Sequence, residues 1–229
     1  MAATPMLATP STPVVQVRRA MVLGHSVEGR PIRAFELGDP ASPRRLLIVG
    51  CIHGNEPAGI AIADALARGR AMRGADLWIV PDLNPDGVAA AMRQNAHRVD
   101  LNRNFPWQWL PLGPPGSTFY SGPRPLSEPE TRIARRLVLR VRPQVSIWFH
   151  QHLDVVDESG GSLSVERRFA SLVRLPLRRL TRYPGSATGW ENHTLPGTTS
   201  FVVELPAGRL SLGRIGVFTR AIRSLAASR

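Results

Sequence analysis

Apolar positions along the chain fall into two periodicities. Short runs rich in branched side chains predict strands at Val14 to Leu23, Ile32 to Leu37, Arg45 to Gly50, Asp76 to Val80, Gln144 to Phe149 and Ser200 to Leu205. Between them, helical spacing of apolar residues predicts helices from Pro57 to Arg70, Ser127 to Arg142, Ser164 to Arg174 and Gly213 to Ala227. The second of these carries a start signal: Ser127, then Glu128 and Glu130 around Pro129, which puts acidic side chains at the positive end of the helix dipole. Alternation of the two patterns predicts an α/β fold, a single-domain three-layer sandwich with a mixed, largely parallel central sheet flanked by helices. The domain is expected to run from residue 14 to 229, behind a loose tail over residues 1–13. Between Pro81 and Leu126 the chain is rich in Pro, Gly and Asn and has little periodicity, which predicts a long functional loop region.

Composition narrows the classes. With 43% hydrophobic and 20% charged residues among 229, the chain has enough apolar surface for a core, so disorder along its whole length is excluded. No run approaches the ~18 apolar residues of a membrane-spanning helix. The single Cys51 cannot form an internal disulfide, and the first residues lack the basic start and apolar core of a secretory signal; a cytoplasmic location is expected. The formal net charge is +12, and all 29 basic residues are Arg. Guanidinium groups suit carboxylates and phosphates alike. Yet between Glu128 and Arg142 an apolar stripe of Ile133, Leu137 and Val141 faces away from Arg132, Arg135, Arg136 and Arg140, so the arginines there read as a solvated helix face. No nucleic-acid motif accompanies them, and neither nucleic acid nor membrane is expected as a partner.

The chemistry concentrates where strands end. Cys51-Ile52-His53-Gly54-Asn55-Glu56 follows directly on the apolar run Leu46 to Val49, the place where open α/β sheets bind their ligands. An imidazole and a carboxylate three residues apart can turn toward one point, and Zn²⁺ accepts both donor types. A third ligand is offered at the end of another strand by Trp148-Phe149-His150-Gln151-His152, where His150 and His152 would share a face if the strand continued. Two His and one Glu leave a coordination position free for water, the catalytic form of zinc site.

Several separated motifs occur here in one order: His53-Gly54-Asn55-Glu56, Asn84-Pro85-Asp86-Gly87, Val99 to Pro106, Ser127 to Thr131, His150, and Phe201 to Leu205. In this they resemble the zinc metallocarboxypeptidases of the carboxypeptidase A type, over about residues 22–225, and within that family most resemble bacterial murein peptide amidases. The resemblance implies one zinc ion held by His53, Glu56 and His150, with His152 in the adjoining loop. It implies Glu204 as general base, Arg93 as the arginine that stabilises the developing oxyanion, with Arg98 as its competitor, and Asp100 as the carboxylate orienting His53. Asn102 and Arg103 correspond to the pair that holds the substrate's terminal carboxylate, and Tyr183 to a mobile tyrosine beside it, whereas Tyr120 reads as structural.

The implied substrate is a small peptide with a free carboxylate, and the implied reaction is hydrolysis of the bond from γ-D-glutamate to meso-diaminopimelate in murein tripeptide. Leu153 to Gly161 reads as an acidic loop in which Asp154 or Asp157 receives the free amine of diaminopimelate. A broader carboxypeptidase or an N-acyl amino-acid deacylase could use the same centre. A non-catalytic peptide-binding protein would have no need of Glu204.

Overall fold

The computed structural model describes residues 16–227, so the expected tail over residues 1–13 and the start of the first predicted strand at Val14 lie outside the described residues. Eight strands form one sheet in the order β1-β2-β4-β3-β5-β8-β6-β7. They are β1 Val17–His25, β2 Pro31–Gly38, β3 Arg45–Val49, β4 Asp76–Val80, β5 Val145–Gln151, β6 Val155–Asp157, β7 Leu177–Arg178 and β8 Thr199–Leu205. The central strands β4, β3, β5 and β8 run parallel, whereas β1 pairs antiparallel with β2, β2 with β4, and β6 with β8. The sheet is therefore mixed with a parallel centre, as the alternating pattern predicts.

Six helices cover it: α1 Ala58–Arg68, α2 Pro85–Ala90, α3 Pro129–Val141, α4 Leu163–Val173, α5 Ala187–Thr194 and α6 Leu212–Ala227. One face of the sheet packs against α1, α4 and α6 through Ile62, Leu66, Phe169, Phe218 and Ile222. The other packs against α3 and α5 through Ile133, Leu137, Val141, Ala187 and Trp190. Each such fully buried aliphatic or aromatic side chain contributes roughly 1.5–3 kcal/mol. The period of two is visible in β8, where Phe201, Val203 and Leu205 point into the first core while Val202 and Glu204 face the opposite side. On α3, Arg135, Arg136 and Arg140 are exposed, as the stripe predicted.

Three expectations need correcting. Ser127 does not cap α3: the N-cap residue is Glu128, and the Ser127 hydroxyl donates instead to Glu128 Oε1 and accepts from Asn104 Nδ2 at 2.9 Å. The stretch from Leu153 to Gly161 is not a loop throughout, because Val155, Val156 and Asp157 are buried in β6, inside the sheet. The irregular stretch from Pro81 to Leu126 contains α2 and a single 3-10 turn, Leu101–Arg103.

Candidate metal centre

Parallel strands end together, and the ends of β3, β5 and β8 deliver the site. His53 and Glu56 lie in the turn between β3 and α1, and His150 is the penultimate residue of β5. His150 pairs in register with Glu204 on β8. The strand ends at Gln151, leaving His152 in an exposed bend, so the two histidines do not share the site.

His53 Nδ1, His150 Nδ1 and Glu56 Oε2 form a triangle with sides of 3.0–3.1 Å, buried on all three residues. Asp100 Oδ1 lies 2.9 Å from His53 Nε2 and fixes the proton there, so Nδ1 presents a lone pair. Lone pairs meeting at this spacing repel unless a cation sits among them. Two imidazoles and one carboxylate make a donor set that fits zinc. Burial alone would raise the carboxyl groups of Glu56 and Asp100, but the imidazoles facing them outweigh it and hold both well below the usual carboxylate range. Burial raises the Cys51 thiol well above its ordinary value, and its Sγ donates to the carbonyl of His53 at 3.1 Å, so Cys51 shapes the turn rather than offering a thiolate.

Backbone contacts hold this turn in place. A Cβ on Gly54 would collide with the backbone of Gly87, so His53-Gly54-Asn55-Glu56 and Asn84-Pro85-Asp86-Gly87 touch main chain to main chain. Asn84 ties them together, donating Nδ2 to the carbonyl of Ile52 at 3.0 Å and accepting from the Gly87 amide at 3.0 Å. Asn104, from the third motif, accepts from Thr131 Oγ1 at 2.8 Å and donates to the carbonyl of Ser121 at 2.7 Å, fastening the long loop region to α3. The carbonyl of Tyr120 accepts the Asp100 amide at 2.8 Å, a backbone role that leaves its ring uninvolved.

A cavity of about 300 Å³ opens beside the triangle and contains His53, His150, Arg93, Asn102, Arg103, Tyr183, Asp157 and Glu204 in its wall. Among the described residues Glu204 Oε2 has no hydrogen-bond partner, and burial raises its carboxyl group above the ordinary value although the imidazoles of His150 and His53 oppose it. β8 is an interior strand, so this carboxylate is not one on a solvated sheet edge. Arg93 donates Nη1 to Glu56 Oε1 at 3.0 Å and Nε to Asp100 Oδ2 at 2.9 Å. Arg98 points away, with its Nη1 on Met92 Sδ, and does not reach the cavity.

Arg103 is 4% exposed, and its Nε is buried without a partner, an expensive arrangement unless a ligand satisfies it. Asn102 spends its Oδ1 on the Ala187 amide at 2.9 Å, which keeps its amide nitrogen available. The half-exposed Tyr183 ring lies 4.2 Å from the Arg103 guanidinium carbon and stacks on Phe119, which also approaches Arg93 at 5.4 Å. Asp157 is inside the cavity, whereas Asp154 is exposed and 3.9 Å from Arg214.

Phe119 and Arg182 are among the cavity residues that escaped sequence reasoning. Phe119 sits in a loop with no periodicity to betray it. Arg182 precedes Tyr183 among so many other arginines that its type carries no signal.

A family model of zinc carboxypeptidases matches residues 15–157. The chain is 30% identical over 187 residues to murein peptide amidase A of Escherichia coli (strain K12), covering 73% of this chain and 74% of that one. It is 31% identical over 201 residues to the enzyme of the same name from Vibrio campbellii, covering 80% and 77%. The crystal structure of murein-tripeptide amidase MpaA from Escherichia coli O157 superposes with a TM-score of 0.73 at 26% identity, over 89% of this chain and 91% of that one. Carboxypeptidase A from Helicoverpa armigera shares the fold, with a TM-score of 0.73 at 20% identity, over 93% and 70%. With the zinc-type ligand triangle at the strand ends and the family match across most of the chain, this protein belongs to the zinc carboxypeptidase family and is a zinc metallopeptidase or amidase.

Proposed function

We propose that this protein cleaves the amide bond between γ-D-glutamate and meso-diaminopimelate in murein tripeptide, a step of peptidoglycan recycling, which would place it in the cytoplasm. One observation carries the proposal: a single cavity is lined by the two histidines of the ligand triangle, by Glu204 with its Oε2 unsatisfied, and by the buried Arg103 guanidinium with an unsatisfied N–H, among the described residues. That combination suits an amide next to a free carboxylate. The particular amide is drawn from the two bacterial murein peptide amidases the chain resembles.

His53, Glu56 and His150 would hold a zinc ion, which would supply Lewis-acid polarisation of the scissile carbonyl and make water a stronger acid near neutral pH. Glu204, raised by burial yet ionisable, accepts the proton of the attacking water and later passes it to the leaving amine. Arg93, anchored by Glu56 and Asp100, sets fixed positive charge beside the position where the carbonyl oxygen gains charge. Asn102 and Arg103 receive the carboxylate next to the scissile bond, and Tyr183 covers Arg103 from the solvent side. Asp157 receives the amine of the leaving residue.

The test is incubation of zinc-loaded protein with murein tripeptide and with ordinary C-terminal peptides, identifying products by mass. Release of diaminopimelate from the tripeptide alone supports the proposal; equal release from ordinary peptides favours a broader carboxypeptidase. Glu204→Gln should lower kcat by about 10²- to 10⁴-fold with zinc content unchanged. Loss of zinc in that variant would make Glu204 a ligand or a structural residue.

A further inference from the structure

Besides the Arg103 anchor, the cavity wall carries an ion pair between Asp157 and Arg182. Asp157 closes β6 with its side chain 6% exposed, and its Oδ2 accepts from Arg182 Nη1 at 2.7 Å and from Ser159 Oγ at 2.6 Å. Its Oδ1 accepts the Leu180 amide at 2.9 Å. The Arg182 side chain is 41% exposed, and both residues line the cavity that contains Glu204. Neither side chain hydrogen-bonds to His53, Glu56, His150 or Glu204.

We propose that Asp157 and Arg182 together form a receptor for a zwitterionic amino-acid head at the far end of the leaving residue's side chain, with its carboxylate on Arg182 and its ammonium on Asp157. The proposal rests on the amidase reading and deepens it, since it names the recognition chemistry of the leaving residue. A lone buried aspartate would select a cationic side chain, as a lone arginine would select an anionic one. With the two charges 2.7 Å apart, each cancels most of the other's field, so a single charge of either sign gains little and meets a like charge next door.

A head bearing both charges meets both demands, because four charges of alternating sign then close a ring. The hydrogen-bonding capacity for it remains. Asp157 has used three of about four acceptor sites, and Arg182 donates one bond among the described residues, out of a guanidinium fork of five N–H groups. The arrangement also works against C-terminal Lys and Arg, whose cationic ends would face Arg182.

A purely structural role is the rival, because Asp157 also fastens the segment that ends in Tyr183. The two are separated by kcat/KM of the zinc-loaded protein on four γ-D-glutamyl amides. Their leaving residues are meso-diaminopimelate with both distal charges, 2-aminopimelate with the carboxylate only, lysine with the amine only, and norleucine with neither. Wild type should prefer diaminopimelate over all three others.

In Arg182→Gln, the preference for diaminopimelate over lysine should fall by about 10- to 100-fold, and Arg182→Lys should recover part of it. Asp157→Asn should lower the preference for diaminopimelate over 2-aminopimelate. Equal losses on all four amides would overturn the receptor and leave an anchor. If wild type cleaves all four with the same kcat/KM, the receptor falls and the amidase reading stands; if it cleaves none, the amidase reading itself falls.

Discussion

His53 works in two directions, offering Nδ1 to the ligand triangle while Nε2 is held by Asp100, so one carboxylate sets both its tautomer and its aim. His150→Ala should therefore strip zinc, measured as metal per chain after dialysis, whereas His152→Ala should retain it; the reverse result would reassign the third ligand. A second residue-scale expectation concerns Glu191, fully buried in α5 under β5, whose Oε1 accepts Trp148 Nε1 at 2.7 Å. Burial dominates over the hydroxyl and indole donors around it and pushes its carboxyl group up to about 7 from 4.5. Between those values the folded protein holds the proton that the unfolded chain releases, so this stabilisation is complete below about pH 4.5 and is lost as pH rises through about 7. The span is worth about 3 kcal/mol. Melting temperature should thus decline from pH 5 to pH 8, and less steeply in Glu191→Gln; identical slopes would contradict it. The ligands themselves were readable from the sequence because His, Glu and strand ends form a sparse pattern. Glu191 was not, since a single Glu in a weakly periodic stretch looks like any solvated carboxylate.

Among the elements, the turn after β3 and the start of α2 behave as one unit, because Gly54 and Gly87 let their backbones touch and Asn84 bonds both. Gly54→Ala should force them apart, lowering the melting temperature by roughly 2–12 °C and weakening zinc binding in the same variant. A variant with unchanged melting and metal affinity would show that this contact does not hold the site. The principal strands and the helices α1, α3, α4 and α6 were legible because each carries a complete apolar face, and their ends shifted by at most a few residues. The elements that went unseen, α2, α5, β6 and β7, have six, eight, three and two residues. None is long enough to show a period, and each is held by tertiary contacts such as the β6 pairing with β8. The acidic run was misread for the same reason: Asp154 and Asp157 look alike in sequence, and only pairing within the sheet buries one of them.

For the molecule as a whole, the parallel centre of the sheet brings His53, Glu56, His150 and Glu204 to one end, and the long loop region adds Arg93, Asn102, Arg103 and Phe119 to the cavity wall. The positive balance of the chain, +12, fits a substrate rich in carboxylates, since a basic field raises the encounter rate of anions and fades with added salt. In the proposed reaction, water with Glu204 as base attacks the γ-carbonyl of glutamate. The most direct measurement is product mass after hydrolysis of murein tripeptide in water enriched in the heavy oxygen isotope. One heavy oxygen is expected on the glutamate-bearing dipeptide and none on free diaminopimelate. Unlabelled products, or scission at another bond, would contradict it.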